Sequence, residues 1–168
     1  MAGGVSCLCM DFSTADLYDA HAEALRCVDP IFQQYGGHER FAGPIRTLKL
    51  HEDNSLVRER LSEPGDGAVL VIDGGGSLRC ALVGDRLAQL AIDQGWQGLV
   101  VYGCIRDAAV IDQMPLGIRA LHTTPVKSVK RGVGLRDEAV TFGGVTFRPG
   151  EWLYADRDGV LVSKQALL

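Results

Sequence analysis

Two short apolar runs constrain the fold of this chain more than any other feature. Residues 69–73 (VLVID) and 99–103 (LVVYG) are continuous and rich in β-branched side chains, a pattern typical of parallel strands that are buried on both faces. Between them, residues 85–94 place Leu87, Leu90 and Ala91 at helical spacing, and Gly95 follows as a stop signal. The sequence therefore predicts a strand-helix-strand unit with parallel strands.

Polar residues cluster at one edge of this predicted unit. In the right-handed crossover that parallel strands adopt, both strands end at the same edge, and the loop that feeds the helix lies there too. Asp85 begins the helix, and Arg106 and Asp107 follow the second strand after twenty intervening residues. Open α/β sheets bind ligands at this edge, and free N–H groups at a helix start attract carboxylates or phosphates.

The three residues suit an oxyacid held beside a metal ion. An arginine grips a carboxylate or enolate through two parallel hydrogen bonds, and an aspartate is a hard oxygen ligand for Mg²⁺ or Mn²⁺. Plainer interpretations stay open. Asp85 can be a simple helix cap, and Arg106 and Asp107 can form a surface salt bridge with each other.

The remaining pattern predicts a single α/β domain over residues 1–168. Residues 43–50 are expected to form a strand and residues 53–61 a helix, and the turns at Gly143-Gly144 and Asp158-Gly159 predict β-hairpins. The fold class is an α/β sandwich with central parallel strands and antiparallel hairpins.

Composition excludes several partners. The 168 residues carry a net charge of −4, which argues against direct nucleic-acid binding. No apolar stretch reaches the length of a membrane span, and the N-terminus lacks a signal-peptide pattern, so a cytoplasmic location is expected.

The sequence gives little support for other site residues. The five cysteines lack zinc-type spacing, and Cys104 is expected to be packed rather than nucleophilic. The four histidines are scattered, and each is expected to be a surface or hydrogen-bonded residue rather than a metal ligand. The segment 74–79 (GGGSLR) fails the dinucleotide and P-loop patterns. Its glycines either form a tight strand exit or allow close approach of a substrate or a neighbouring subunit.

Beyond these features, a long ordered series of motifs spans nearly the whole chain. It includes TADLYDA at 14–20, QYGGHERFAGPIRTLK at 34–49, EDNSLV at 52–57, VLVIDGGGSLRCALVGDRLA at 69–88, GLVVYGCIRD at 98–107, GIRAL at 117–121 and GGVTFRPGEWLYADRDGVLVS at 143–163. In this series the chain resembles the family of class II 4-hydroxy-4-methyl-2-oxoglutarate (HMG) aldolases and RraA-like regulators of ribonuclease E activity. The resemblance implies a ββα sandwich of the phosphohistidine-swivelling type, and a homotrimer or a dimer of trimers.

The resemblance also implies roles for the polar cluster. Gly84, Asp85, Arg86 and Leu87 would bind the pyruvoyl end of a small 2-oxo acid, Arg106 would contact the substrate, and Asp107 would ligate Mg²⁺ or Mn²⁺. In the reaction expected below, Asp85 and Arg106 are the candidate catalytic residues, with Asp85 positioning a water that removes the C4 hydroxyl proton. One position departs from the pattern of many aldolase members, because Val110 stands where they have Glu or Asp.

The expected activity is metal-dependent cleavage of HMG to two pyruvates, with oxaloacetate decarboxylation as a second activity through the same enolate. The alternative is a non-catalytic regulator that binds a ribonuclease E-type protein, and Val110 keeps that alternative open. A Schiff-base aldolase is a weaker rival, because no lysine has a sequence context that would lower its pKa.

Overall fold

The structure is a computed structural model that describes residues 11–168, so Cys7 and Cys9 lie outside the described residues. The described residues form four α-helices, α1 (Thr14–His21), α2 (Ser55–Leu61), α3 (Asp85–Asp93) and α4 (Ala108–Ile111), and one short 3-10 helix (Ala22–Ala24). The strands are β1 (Leu25–Cys27), β2 (Gln33–Tyr35), β3 (Phe41–Lys49), β4 (Val69–Asp73), β5 (Ala81–Val83), β6 (Gly98–Ile105), β7 (Gly117–Thr123), β8 (Leu135–Arg136), β9 (Val140–Phe142), β10 (Val145–Phe147), β11 (Trp152–Ala155) and β12 (Val160–Ser163).

One large sheet forms the centre of the molecule. Its strand order is β1-β12-β11-β3-β4-β6-β7-β2, with β5 paired to β6 and β8 paired to β3. The four strands β3, β4, β6 and β7 are parallel to one another, and the strands on either side of them are antiparallel. The predicted parallel centre with antiparallel additions is therefore confirmed.

The predicted strand-helix-strand unit is present, with one strand that the sequence pattern did not reveal. β4 has the predicted bounds, and β6 extends the predicted run by one residue at its start and two at its end. The three-residue strand β5 lies between β4 and α3 and pairs in parallel with β6. Because β5 leads directly into α3, it fixes where the helix begins relative to the end of β6.

The helices and the hairpin cover opposite faces of the sheet. One buried cluster places α2 and α3 against side chains such as Leu70, Ile72 and Leu99. A second cluster packs the β9–β10 hairpin against alternate side chains of the same strands, including Val69 and Val71. Burial on both faces explains why these strands are continuous apolar runs.

The predicted turns and flanking elements are also in place. Gly143 and Gly144 both have positive φ angles in the turn between β9 and β10, the conformation that favours glycine in two-residue hairpin loops. β3 begins two residues before the predicted strand, and α2 begins two residues after the predicted helix. No helix among residues 11–168 is long and apolar enough to cross a membrane.

Candidate functional site

The carboxyl edge of the sheet brings Asp85, Arg106 and Asp107 together. The backbone N–H of Arg106 donates to the carbonyl of Val83 at 2.9 Å, which joins the end of β6 to the end of β5. The backbone N–H of Asp85 donates to Oδ2 of Asp107 at 3.1 Å. The start of α3 and the loop after β6 therefore form one continuous surface, as the spacing predicted.

Asp107 caps helix α3 from a distant part of the chain. Gly84 occupies the N-cap position of α3 and has no side chain to accept a hydrogen bond, so the Asp107 carboxylate takes the Asp85 N–H instead. Asp107 has φ 59° and ψ 36°, a left-handed conformation that aspartate tolerates better than most residues.

Gly84 is required to be small at this position. A Cβ atom there would lie 2.8 Å from Oδ2 of Asp107 and 3.4 Å from Nε of Arg106. The φ angle of Gly84 is −120°, which any residue adopts, so the restriction is steric rather than conformational. The absence of a side chain lets Arg106 and Asp107 close over the start of α3.

The charged groups at this edge are free to bind a ligand. Within residues 11–168, neither Arg106 nor Asp107 takes part in a salt bridge, and the Arg106 guanidinium makes no hydrogen bond. The alternative of a self-contained Arg-Asp pair is therefore not realised. Asp85 is the first residue of α3 rather than its cap, and the backbone N–H groups of Arg86 and Leu87 have no acceptor in the same range.

The Asp107 carboxylate fits a hard divalent cation that keeps most of its water ligands. Its Oδ1 atom is left without a hydrogen bond, and the residue is exposed. No cluster of three His, Cys, Asp or Glu side chains occurs among the described residues. Val110 is exposed on α4. The acid two residues later, Asp112, does not take its place, because its Oδ1 atom accepts the N–H of Gly36 at 2.9 Å. Mg²⁺ is commonly held in this way, by one or two carboxylates and several waters.

The glycine-rich segment after β4 forms a tight strand exit. The N–H groups of Gly74 and Gly76 both donate to the carbonyl of Tyr102 at 3.1 Å. A Cβ on Gly74 would lie 2.6 Å from the Leu82 side chain, and Gly75 and Gly76 have positive φ angles. Of the two interpretations of these glycines, this geometry supports the tight exit.

The cysteines and histidines are placed as expected. Cys80 and Cys104 are buried, and burial raises the pKa of both thiols, which disfavours the thiolate needed for nucleophilic attack. All four histidines are exposed. None of them faces Asp107 as part of a metal-binding cluster among residues 11–168.

Comparison with known proteins identifies the family. The RraA-like family model, described as Aldolase/RraA, matches residues 14–162. The chain belongs to this family. A relative from Laribacter hongkongensis is 63% identical over 159 residues, covering 95% of this chain and 100% of the relative. Another from Pseudomonas aeruginosa is 56% identical over 158 residues, covering 94% and 98%. Both are provisionally named 4-hydroxy-4-methyl-2-oxoglutarate aldolases.

Solved structures share the fold at high identity. The RNA-processing inhibitor RraA from Thermus thermophilus has a TM-score of 0.91 and 45% identity, covering 95% of this chain and 96% of that one. A protein from Geobacillus kaustophilus described as an S-adenosylmethionine:2-dimethylmenaquinone methyltransferase has a TM-score of 0.89 and 51% identity, covering 93% and 97%. The mixed α/β domain of this chain is therefore the RraA fold, and the relatives bearing this fold carry three different functional names.

Proposed function

We propose that this protein is a divalent-metal-dependent aldolase that cleaves 4-hydroxy-4-methyl-2-oxoglutarate to two molecules of pyruvate. The observation that carries the proposal is the juxtaposition at the start of α3. An exposed carboxylate on Asp107, an unpaired guanidinium on Arg106 and free helix-start N–H groups lie around Gly84. The names of the relatives from Laribacter hongkongensis and Pseudomonas aeruginosa support the same reaction.

The helix start positions the pyruvoyl end of the substrate. The N–H groups of Arg86 and Leu87 are directed out of the first turn of α3 and donate to the C1 carboxylate, aided by the positive end of the helix dipole. The Asp85 N–H is already bonded to Asp107. Carboxylate binding therefore depends on the amides that follow Asp85 and on Gly84, which leaves room for the ligand.

Arg106 stabilises the charge that develops during cleavage. Breaking the carbon-carbon bond leaves a pyruvate enolate, whose negative charge resides mainly on the C2 oxygen. The Arg106 guanidinium has no competing partner among residues 11–168, so its N–H donors are available to that oxygen. A Mg²⁺ or Mn²⁺ ion on Asp107 supplies Lewis-acid character at the same oxygen when it is bound.

Asp85 is assigned to the proton of the C4 hydroxyl group. Its side chain is partly exposed at the first position of α3 and makes no hydrogen bond within the described residues. A carboxylate in this place accepts the proton through a bridging water while the C3–C4 bond breaks. Oxaloacetate decarboxylation passes through the same enolate without that proton transfer, so we propose it as a second activity that depends less on Asp85.

Assembly into a trimer or a dimer of trimers is part of the proposal. Four exposed apolar side chains lie within residues 126–135, a segment that begins beside β5: Val126, Val129, Val133 and Leu135. The N–H of Ala81 donates to the carbonyl of Val126 at 2.7 Å, which ties this segment to the strand that leads into the site. Exposed apolar side chains concentrated in one segment are typical of interaction sites. Sedimentation at assay concentration tests the assembly, and a fully active monomer would contradict it.

A non-catalytic regulator that binds a ribonuclease E-type protein is the second candidate. Two observations favour it: Val110 leaves the metal site with one assignable carboxylate, and the Thermus thermophilus RNA-processing inhibitor shares the fold. In this alternative the edge at Gly84 is a vestige of a catalytic ancestor.

A coupled assay of pyruvate release separates the candidates. Purified protein is given HMG or oxaloacetate with Mg²⁺, with Mn²⁺, or with a chelator. A class II aldolase turns over both substrates and stops with the chelator, whereas a Schiff-base enzyme keeps turning over HMG. A pure regulator releases no pyruvate under any of these conditions, and that result would overturn the proposal.

A further inference from the structure

A groove of about 420 Å³ lies between helix α1 and the β1–β12 edge of the sheet, and we call it the α1 groove. No residue of the candidate site lines it, so it is separate from the proposed catalytic centre. Its walls are mainly apolar, with one carboxylate from α1 and one from the loop between β11 and β12. The lining includes Ala15, Tyr18, Asp19, Asp158, Val160 and Leu161.

The α1 groove has a net negative charge. Asp19 and Asp158 are exposed, and neither forms a salt bridge within residues 11–168. No lysine or arginine of the described residues lines the groove, and Arg157, next to Asp158 in the sequence, lines a neighbouring cavity instead. The side chain of Tyr18 is 43% exposed, so apolar surface also faces solvent here. The groove therefore fits an apolar segment that carries positive charges.

Residues 126–131 (VKSVKR), which we call the strap, have the complementary composition. Their two valines are 53% and 46% exposed. Lys127, Lys130 and Arg131 are also exposed, and none of the three forms a salt bridge within the described part of the chain. The segment contains no acidic residue. The strap therefore presents apolar and positively charged side chains together.

Backbone hydrogen bonds fix the strap on the molecule. At its start, the N–H of Ala81 in β5 donates to the carbonyl of Val126 at 2.7 Å. At its end, the N–H of Arg131 donates to the carboxylate of Asp53, in the segment after β3, at 2.8 Å. Because this backbone is already ordered, docking the strap on a partner loses little backbone conformational entropy.

The strap of a chain does not fill that chain's own groove, because α1 packs against β12 at one edge of the sheet while the strap is held by β5 and the segment after β3. We propose that the α1 groove of one copy receives the strap of a neighbouring copy. This contact rests on the assembly proposed above, and it specifies which surfaces meet. Two different surfaces that bind each other form a heterologous contact, which closes into a ring when the rotation between copies permits. Such a contact is the kind that a trimeric ring requires.

Reversing the charges on each surface, separately and together, tests the pairing. The groove variant is Asp19→Lys with Asp158→Lys, and the strap variant is Lys127→Glu with Lys130→Glu. All four side chains are exposed, so the fold should be retained, which circular dichroism checks. In sedimentation at graded protein concentration, each variant alone should raise the dissociation constant of the assembly by about 100-fold or more, because like charges then face each other. The combined variant restores opposite charges and should assemble within about tenfold of the parent protein.

Glu23→Lys and Arg148→Glu are the controls, because both side chains are exposed, lie outside the two surfaces and form no salt bridge among residues 11–168. Each control should assemble as the parent protein does. A monomeric parent protein would overturn both the proposed assembly and this pairing. If the parent protein assembles and the groove variant assembles equally well, the assembly stands and the pairing is wrong. Dissociation of the groove variant without rescue in the combined variant would also overturn the pairing, because a different segment would then occupy the groove.

Discussion

Asp53 and Asp107 both follow strands that end at the carboxyl edge of the sheet, yet their surroundings differ. Asp53 is 3% exposed, and its carboxylate accepts the N–H and hydroxyl of Ser55 together with the N–H groups of Arg131 and Val133. Asp107 is exposed, has a left-handed backbone and accepts a single N–H. A fully satisfied carboxylate joins segments of the fold, whereas a partly satisfied one keeps an oxygen for a ligand.

The largest expected effect comes from removing the charge of Asp107. Asp107→Asn keeps an oxygen that accepts the Asp85 N–H but loses the negative charge that would hold the cation. Removing a residue that only hydrogen-bonds to a metal ligand costs about 10- to 100-fold, so loss of the ligand itself should lower pyruvate release by about 10³-fold or more. Stability should change little. Asp107→Ala also removes the cap of α3 and places alanine in left-handed backbone, so it should cost about 2 kcal/mol of unfolding free energy. Equal stability of the two variants would show that the cap is unimportant.

Arg106→Lys tests whether the free guanidinium acts on the transition state. Lysine keeps the charge and loses the planar two-point contact, so we expect a loss of about 2 to 4 kcal/mol in transition-state stabilisation, expressed mainly in kcat. Steady-state kinetics with saturating Mg²⁺ measure the change. An effect confined to KM would instead make Arg106 a ground-state anchor for the substrate carboxylate.

Asp53→Asn should affect stability without affecting turnover per folded molecule. An amide NH₂ would face donors that now bind the carboxylate, so unfolding free energy should fall by about 1 to 3 kcal/mol. Denaturant unfolding measures the change in stability, and the pyruvate assay, corrected for the folded fraction, measures turnover per folded molecule. A loss of turnover in the folded molecules would show that Asp53, like Asp107, contributes to activity.

The same contrast has a pH signature. Burial alone would raise the pKa of Asp53, but hydrogen bonds from Ser55, Arg131 and Val133 lower it to about 2 from an ordinary value of 3.8. Because the folded-state pKa is depressed, the contribution of Asp53 is fully present above about pH 4 and is lost as the pH falls towards 2. Stability measured across this window should fall less steeply for Asp53→Asn than for the parent protein.

Gly84→Ala should have the smallest effect. The added Cβ fits the backbone but meets Oδ2 of Asp107 at 2.8 Å, so the carboxylate must move and turnover should fall about tenfold, as small misplacements of catalytic groups do. Gly159→Ala is the matched control, because a Cβ there meets no atom within 4 Å and its φ is not positive. Equal turnover in the two variants would show that the Asp107 position tolerates displacement.

The sequence predicted the parallel centre because β4 and β6 are buried on both faces and must be apolar throughout. It predicted the meeting of Asp85, Arg106 and Asp107 because a crossover places these positions at one edge. It did not reveal β5, since three residues are too few for periodicity, nor the cap from Asp107, since such a contact joins residues 22 positions apart. The glycine at position 84 was the one signal for this cap, because an N-cap residue without a side chain leaves the first N–H groups of the helix to an acceptor from elsewhere. The phosphohistidine-swivelling type and the roles of the site residues remain predictions.

Calorimetric titration of Mn²⁺ in the presence of oxalate, a planar mimic of the pyruvate enolate, tests the central claim most directly. The parent protein and Asp53→Asn should bind the ion with equal affinity, whereas Asp107→Asn should bind at least about 100-fold more weakly. Equal affinity of Asp107→Asn and the parent protein would show that the Asp107 carboxylate does not hold the cation.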